Sequence, residues 1–133
     1  MSKPTSSDLP PITVVIADDT SIMRSLLRQI LKDRGFQVVA EAGNGVDAVQ
    51  LVKQYKPQVV CLDIEMPEMS GLEALTKIRK MEEPPEVIMV TGDSQAASVQ
   101  QAMQAGARGY ILKPFQADKI VSSIYKALQP KSG

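Results

Sequence analysis

The feature that most constrains the fold is an alternation of strand-like and helix-like segments along the chain. Five short apolar runs, rich in β-branched residues, occur at Ile12–Ala17, Val38–Ala42, Val59–Leu62, Val87–Val90 and Tyr110–Leu112. Short, mostly continuous runs of this kind are typical of strands that a parallel sheet buries on both faces. We therefore predict five parallel strands.

Helical periodicity fills the intervals between these runs. The first helix is predicted from an apolar face that comprises Ile22, Met23, Leu26, Leu27, Ile30 and Leu31. Gly35 is predicted to end this helix. Four more helices are indicated at about Ala48–Tyr55, Leu72–Ile78, Gln95–Ala105 and Ile120–Leu128. Because right-handed crossovers place helices on both sides of such a sheet, we predict an α/β fold with five helices covering both faces.

The polarity of the strands predicts their order in the sheet. The second strand carries Gln37 and Glu41 and alternates in polarity, which indicates an edge position. We predict the order 2-1-3-4-5 of flavodoxin-like sheets, in which strands 1 and 3 flank the topological switch point. Ligands of these sheets bind beyond the carboxyl ends of the strands, so the residues there are the first candidates for function.

Composition and charge exclude several classes of function. Fifteen basic and fifteen acidic residues cancel, so no net charge attracts nucleic acid or an anionic membrane. No apolar run has the length of a membrane span. Residues 1–11 lack a signal-peptide core and are expected to form a flexible leader before a domain at 12–129. The single cysteine, Cys61, is predicted to be a packing residue and is consistent with a cytoplasmic location.

The chain contains no histidine. Catalytic triads with a histidine base, histidine-ligated zinc and self-supplied phosphohistidine are therefore excluded. Any chemistry must use carboxylates, hydroxyls and lysine, with or without a hard metal ion.

Polar residues follow four of the five predicted strands. Asp18 and Asp19 follow the first, Asp63 follows the third, Thr91 ends the fourth and Lys113 follows the fifth. Each has a structural interpretation by itself, such as capping of the first helix by Asp19. Their common position at one rim of the sheet favours a single site.

The charges of this set predict a metal ion. Three carboxylates about 5 Å apart repel by about 3 kcal/mol per pair at an effective dielectric constant of about 20. A divalent cation together with Lys113 would cancel the three negative charges, and oxygen ligands point to Mg²⁺. Asp63 could then accept a phosphoryl group as a carboxylate nucleophile, with Lys113 offsetting charge and Thr91 donating a hydrogen bond.

Four segments, VVIADDTSIMR, VVCLDIEMPEMSGLEAL, VIMVTGD and GARGYILKPF, occur in this order within residues 12–128. Together they resemble the signature blocks of bacterial response-regulator receiver domains, in particular the stand-alone CheY-like, chemotaxis-type group. The resemblance implies that Asp63 is the phosphoacceptor and that Thr91 and Tyr110 are switch residues acting with Lys113. It also implies a cis Lys113–Pro114 bond and a Mg²⁺ site made of Asp18, Asp19, Asp63 and the Glu65 backbone carbonyl.

The resemblance further implies a role in two-component phosphorelay signalling. A sensor histidine kinase would supply the phosphoryl group, and phosphorylation would shift the population between two states. The signal would leave through the face of helix 4, strand 5 and helix 5, toward a protein target such as the flagellar motor switch. Because few residues follow the fifth helix, we expect no output domain. We expect a cytoplasmic monomer that is not an enzyme beyond self-phosphorylation and self-dephosphorylation.

Several alternatives remain open at this stage. A phosphorelay intermediate or a phosphate sink would use the same site. A haloacid-dehalogenase-type phosphohydrolase also uses an aspartyl nucleophile and Mg²⁺, but Glu65 stands where its second aspartate would be. A nucleotide-binding module would need a glycine-rich loop after the first strand, where the sequence is ADDT. The Glu65 side chain either overhangs the phosphoryl site or is a solvated loop residue.

Overall fold

The structure is a computed structural model that describes residues 9–130. Its five strands, β1–β5, span Thr13–Ala17, Gln37–Ala42, Val59–Leu62, Glu86–Thr91 and Gly109–Leu112. Its five helices, α1–α5, span Ser21–Asp33, Gly45–Tyr55, Gly71–Arg79, Ala96–Gln104 and Ala117–Leu128. The predicted alternation is confirmed, with ends that differ by a few residues. The first eight residues of the predicted leader lie outside the described part of the chain.

All five strands pair in parallel, in the order β2-β1-β3-β4-β5. The predicted order is confirmed, and β2 with its polar Gln37 and Glu41 lies at one edge. Since parallel strands end on the same side of a sheet, the residues that follow β1, β3, β4 and β5 all lie along one rim. None of the described helices combines the length and the apolar character that crossing a membrane requires.

Two apolar layers cover the sheet, one on each face. Val15, Val60 and Met89 belong to the layer under α2, α3 and α4. Ile16 and Cys61 belong to the layer under α1 and α5, because successive strand residues point to opposite faces. Burial raises the pKa of the Cys61 thiol to about 12. A thiol of this kind stays protonated and inert at neutral pH, as expected of a packing residue.

The apolar face predicted for α1 is wider than the surface that the helix buries. Leu27 and Leu31 are buried, whereas Ile22 is 79% exposed and Leu26 is 46% exposed. The predicted helix is confirmed, and Ile22 and Leu26 belong to its apolar face without being buried. The reason is position: α1 packs over β1 and β2 at the edge of the sheet, so only one flank of its apolar stripe meets the core.

Local signals explain where several helices begin and end. The side chains of Asn44 and Ser70 accept backbone N–H groups at the start of α2 and α3. Gly35 after α1 and Gly106 after α4 have φ angles of +87° and +106°, which glycine adopts without strain. The predicted end of the first helix at Gly35 is confirmed.

Gly71 begins α3 and packs directly against the backbone of Asp63. A Cβ atom on Gly71 would lie 1.9 Å from the Asp63 carbonyl oxygen. The Gly71 N–H donates to the Ile64 carbonyl at 2.8 Å, which holds the two segments together. The missing side chain thus allows α3 to start against the end of β3.

Replacing Gly71 with alanine is expected to lower the free energy of unfolding by about 3 kcal/mol, because no rotamer relieves a clash with backbone. Urea denaturation measures the change. Gly92→Ala is the matched control, since its Cβ would meet only Glu65 Oε1, at 3.9 Å. The control should change stability by less than about 1 kcal/mol. A Gly71→Ala protein as stable as wild type would contradict the close packing.

Candidate functional site

Three aspartates lie together at the carboxyl ends of the two central strands. Asp18 and Asp19 follow β1, Asp63 follows β3, and one carboxylate oxygen of each lies within 4.8 Å of the others. Asp18 and Asp63 are buried, whereas Asp19 is exposed. The N-cap of α1 is Thr20 and forms no side-chain cap bond, so Asp19 is not the capping residue.

The position of Asp18 is set by hydrogen bonds on every side. Its N–H donates to the Ala42 carbonyl at 3.0 Å, at the end of β2. Its Oδ1 accepts from the Thr20 N–H at 2.9 Å and from the Thr20 hydroxyl at 3.0 Å. The Arg24 guanidinium donates to the Asp18 carbonyl at 2.6 Å and pairs with Glu41 at 3.5 Å. The Asp18 carboxylate is therefore held in one orientation, and Arg24 is a supporting residue that the sequence analysis missed.

Lys113 lies between two of the aspartates. Its Nζ is 2.6 Å from Asp18 Oδ2 and 2.9 Å from Asp63 Oδ2. The backbone beside it carries the predicted cis bond to Pro114. Burial by itself would lower the pKa of Lys113, but hydrogen bonds and charges from Asp18 and Asp63 outweigh burial and raise that pKa. Lys113 is therefore an ammonium ion at neutral pH.

The charges in this group do not balance. Three carboxylates and one ammonium leave two negative charges in a small space, and each pair of carboxylates repels by about 3 kcal/mol at an effective dielectric constant of about 20. A divalent cation would restore neutrality. Because the donors are carboxylate oxygens, Asp18, Asp19 and Asp63 fit Mg²⁺, a hard ion that prefers oxygen ligands.

Glu65 lies in the loop after Asp63. Its N–H donates to Asp63 Oδ1 at 3.2 Å, so this loop supports the second carboxylate oxygen. Its side chain is exposed, with Oε1 3.9 Å from the position that a Cβ on Gly92 would take. The carboxylate thus reaches toward the loop after β4 while remaining in solvent. Metal binding by the Glu65 carbonyl stays a prediction.

Thr91 and Tyr110 are linked through a residue that the sequence analysis did not single out. Thr91 is fully buried at the end of β4, and its hydroxyl accepts the Asp93 N–H at 3.2 Å. The Tyr110 hydroxyl donates to the Asp93 carbonyl at 2.6 Å. Burial, followed by the charge of Asp93, raises the pKa of Tyr110. The only sequence signal for Asp93 is its place before a helix, where its side chain accepts the Gln95 N–H at 2.9 Å.

Comparison with known proteins identifies the domain. The sequence profile described as the response regulator receiver domain matches residues 14–125. The chain belongs to this family. The chemotaxis protein CheY of Bacillus subtilis is 44% identical to this receiver domain over 115 residues, which make up 86% of this chain and 96% of that protein. The chemotaxis protein CheY of Listeria monocytogenes is 44% identical over 116 residues, which make up 87% of this chain and 98% of that one.

Solved structures agree with the sequence relatives. A chain in the crystal structure of the CheX-CheY-BeF3-Mg²⁺ complex from Borrelia burgdorferi superposes with a TM-score of 0.87 at 28% identity, covering 93% of each chain. The predicted CheY-like, flavodoxin-like fold is confirmed. The predicted role of the receiver domain in two-component phosphorelay signalling is also confirmed, and the comparisons do not favour the phosphohydrolase alternative.

The raised pKa of Lys113 predicts how stability depends on pH. Below 10.5, the ordinary lysine value, the ammonium is present in the folded and unfolded chains and its ion pairs stabilise the fold. As pH rises from 10.5 through the higher folded-state pKa, this contribution is lost. In metal-free buffer, the difference in free energy of unfolding between wild type and Lys113→Met should therefore shrink over that range.

Urea denaturation at a series of pH values measures this difference. Lys77→Met, at an exposed position on α3, is the matched control and should differ from wild type by a constant amount. If the Lys113→Met difference also stays constant above pH 10.5, the ion pairs do not stabilise the fold.

Proposed function

We propose that this receiver domain is a chemotaxis-type phosphoacceptor that takes a phosphoryl group on Asp63 from a sensor histidine kinase. The phosphorylated domain then changes its affinity for a protein target. The observation that carries the proposal is the setting of Asp63: a buried carboxylate beside an ammonium, with two further carboxylates within 4.8 Å. A structural carboxylate would have no reason to lie in this excess of negative charge.

The two oxygens of Asp63 are held differently. Oδ1 accepts a backbone N–H, and Oδ2 accepts the Lys113 ammonium. In the proposed transfer, one of these oxygens forms a bond to phosphorus as the phosphorus–nitrogen bond of phosphohistidine breaks. The electron pair of the broken bond stays on the imidazole of the kinase. No general base is needed, which agrees with a chain that has no histidine.

Lys113 would stay in place during the transfer and offset negative charge on the phosphoryl oxygens. We propose that Asp18, Asp19, Asp63 and the Glu65 carbonyl hold Mg²⁺, which supplies further charge neutralisation when bound.

Thr91 and Tyr110 would transmit the conformational change caused by phosphorylation from Asp63 to the protein surface. A hydroxyl can accept one hydrogen bond and donate another, so Thr91 can donate to a phosphoryl oxygen while it keeps the Asp93 N–H. Tyr110 belongs to the proposed output face of α4, β5 and α5, on which Met103 and Leu112 are exposed. The other exposed residues of that face include several glutamines, Gln95, Gln100, Gln101, Gln104 and Gln116. The exposed side chains of α4 and β5 are uncharged and include a few apolar ones, which suits a reversible protein contact, while α5 adds the charged residues Asp118, Lys119 and Lys126.

Finer points of the proposal remain predictions. They are the flagellar motor switch as target, a monomeric state, a cytoplasmic location, the domain limits 12–129 and chemistry restricted to self-phosphorylation and self-dephosphorylation. The relatives named CheY support a chemotaxis role over that of a phosphate sink.

Intact-protein mass spectrometry after incubation with acetyl phosphate tests the acceptor. Wild type should gain one phosphoryl group in the presence of Mg²⁺, and labelling should be at least about tenfold slower in a chelator. Asp63→Asn should gain none, because the amide is not a nucleophile. Labelling of a folded Asp63→Asn protein, or no labelling of folded wild type, would contradict the proposal.

A second experiment tests the metal site through stability. Mg²⁺ at about ten times its dissociation constant should raise the melting temperature of wild type by about 4 °C. Asp19→Asn should abolish most of this shift, and because Asp19 is exposed the variant should fold normally. Glu83→Gln, an exposed residue in the loop between α3 and β4, is the matched control and should keep the full shift. An unchanged shift in Asp19→Asn would place the metal elsewhere.

A further inference from the structure

The loop that joins β4 to α4 is organised around one residue. Every polar group of Asp93 has a hydrogen-bond partner. Its N–H donates to Thr91 Oγ1 at 3.2 Å, and its carbonyl accepts from the Tyr110 hydroxyl at 2.6 Å. Its Oδ1 accepts from the Gln95 N–H at 2.9 Å, and its Oδ2 accepts from the Ser98 hydroxyl at 2.7 Å. The backbone of Asp93 therefore meets the two switch residues, and its side chain meets helix α4.

Ser98 is the anchor of this arrangement. Its side chain lies within α4 and is 8% exposed, so the hydroxyl has a fixed position on a regular element. Gln95, the N-cap residue of α4, forms no side-chain cap bond, and its own backbone N–H donates to the Asp93 carboxylate. The bonds from Ser98 and then Gln95 lower the pKa of Asp93, so the acceptor is a carboxylate at neutral pH. Hydrogen bonds to a charged acceptor are stronger than neutral ones.

We propose that Ser98 is a positioning residue for the switch: its hydroxyl holds the Asp93 carboxylate on α4, and this fixes the backbone through which Thr91 and Tyr110 are joined. The inference rests on the proposed function, because it treats Thr91 as the residue that responds to a phosphoryl group on Asp63. A loop held at its side chain transmits a movement of Thr91 to the Asp93 carbonyl and so to Tyr110. Without this anchor, Thr91 could move without displacing the Asp93 carbonyl, because the residues on either side of Asp93, Gly92 and Ser94, are exposed.

The Ser98 bond can be removed without removing the helix cap. In Ser98→Ala, the Gln95 N–H can still donate to Asp93 Oδ1, so α4 keeps a partner for its first turn. Asp18, Asp19, Asp63 and Lys113 keep their contacts, so phosphorylation of Asp63 should still take place. The variant therefore separates acceptance of the phosphoryl group from its transmission to Tyr110.

The experiment compares wild type, Ser98→Ala, Ser98→Thr and Ser94→Ala. Each protein is labelled with acetyl phosphate and Mg²⁺, and the extent of labelling is measured by intact mass. NMR of ring-labelled tyrosine then records the change at Tyr110 per phosphorylated molecule, with the exposed Tyr55 at the end of α2 as the internal reference. Amide hydrogen exchange at Asp93 and Gln95 reports on the loop itself.

In Ser98→Ala, exchange at the Asp93 amide should be about tenfold faster than in wild type, the effect of losing one charge-assisted bond. The Tyr110 response should fall by about half or more, while Asp63 is still labelled. Ser98→Thr keeps the hydroxyl and should restore both quantities. Ser94→Ala, at an exposed serine in the same loop, should match wild type.

The outcomes distinguish the inference from the proposed function. If wild type is not labelled at Asp63, the proposed function fails and the switch role of Ser98 fails with it. If wild type is labelled and Ser98→Ala shows the full Tyr110 response, only the inference is overturned. A merely structural role for Ser98 would speed exchange throughout α4 and leave the Tyr110 response per phosphorylated molecule unchanged, and that result would also overturn it.

Discussion

The ammonium of Lys113 lies between the carboxylates of Asp18 and Asp63, and the arrangement of the site depends on this contact. Two buried carboxylates at the ends of adjacent strands repel each other, and a cation supplied by β5 offsets that repulsion. The compensation is incomplete, because one ammonium leaves one of these two negative charges uncancelled and Asp19 adds another. This residual charge supports the proposed divalent ion and distinguishes the site from a buried salt bridge that serves packing alone.

The backbone of the fold places these charges accurately. The parallel order brings Asp18, Asp63 and Lys113 to one rim although they are far apart in sequence. Tight backbone packing then limits their freedom: Gly71 lies against the Asp63 carbonyl, and Arg24 holds the Asp18 carbonyl. Nucleophilic attack on phosphorus depends on such positioning, since the protein has little other chemistry to supply.

Signalling requires the same rim to be connected to the surface. In the structure, two hydrogen bonds join Thr91 through the backbone of Asp93 to Tyr110 on β5, a strand of the proposed output face. These are individual hydrogen bonds in an exposed loop, whereas the apolar layers on each face of the sheet are closely packed. The loop can therefore change conformation at a small free-energy cost while the core keeps its packing.

Local patterns in the sequence determined the elements, the edge position of β2 and the row of Asp18, Asp19, Asp63, Thr91 and Lys113 at the strand ends. These features follow from hydrophobic periodicity and strand polarity, which each segment carries by itself. The tertiary structure decided which part of the α1 stripe is buried, leaving Ile22 and Leu26 in solvent, and it brought Arg24 to Asp18 and Ser98 to Asp93. The burial of α1 depends on how far the sheet extends beneath that helix. The two contacts depend on where the side chains of Arg24 and Ser98 lie after folding. No periodicity within a segment encodes either quantity, because both are set by the neighbours that folding brings together.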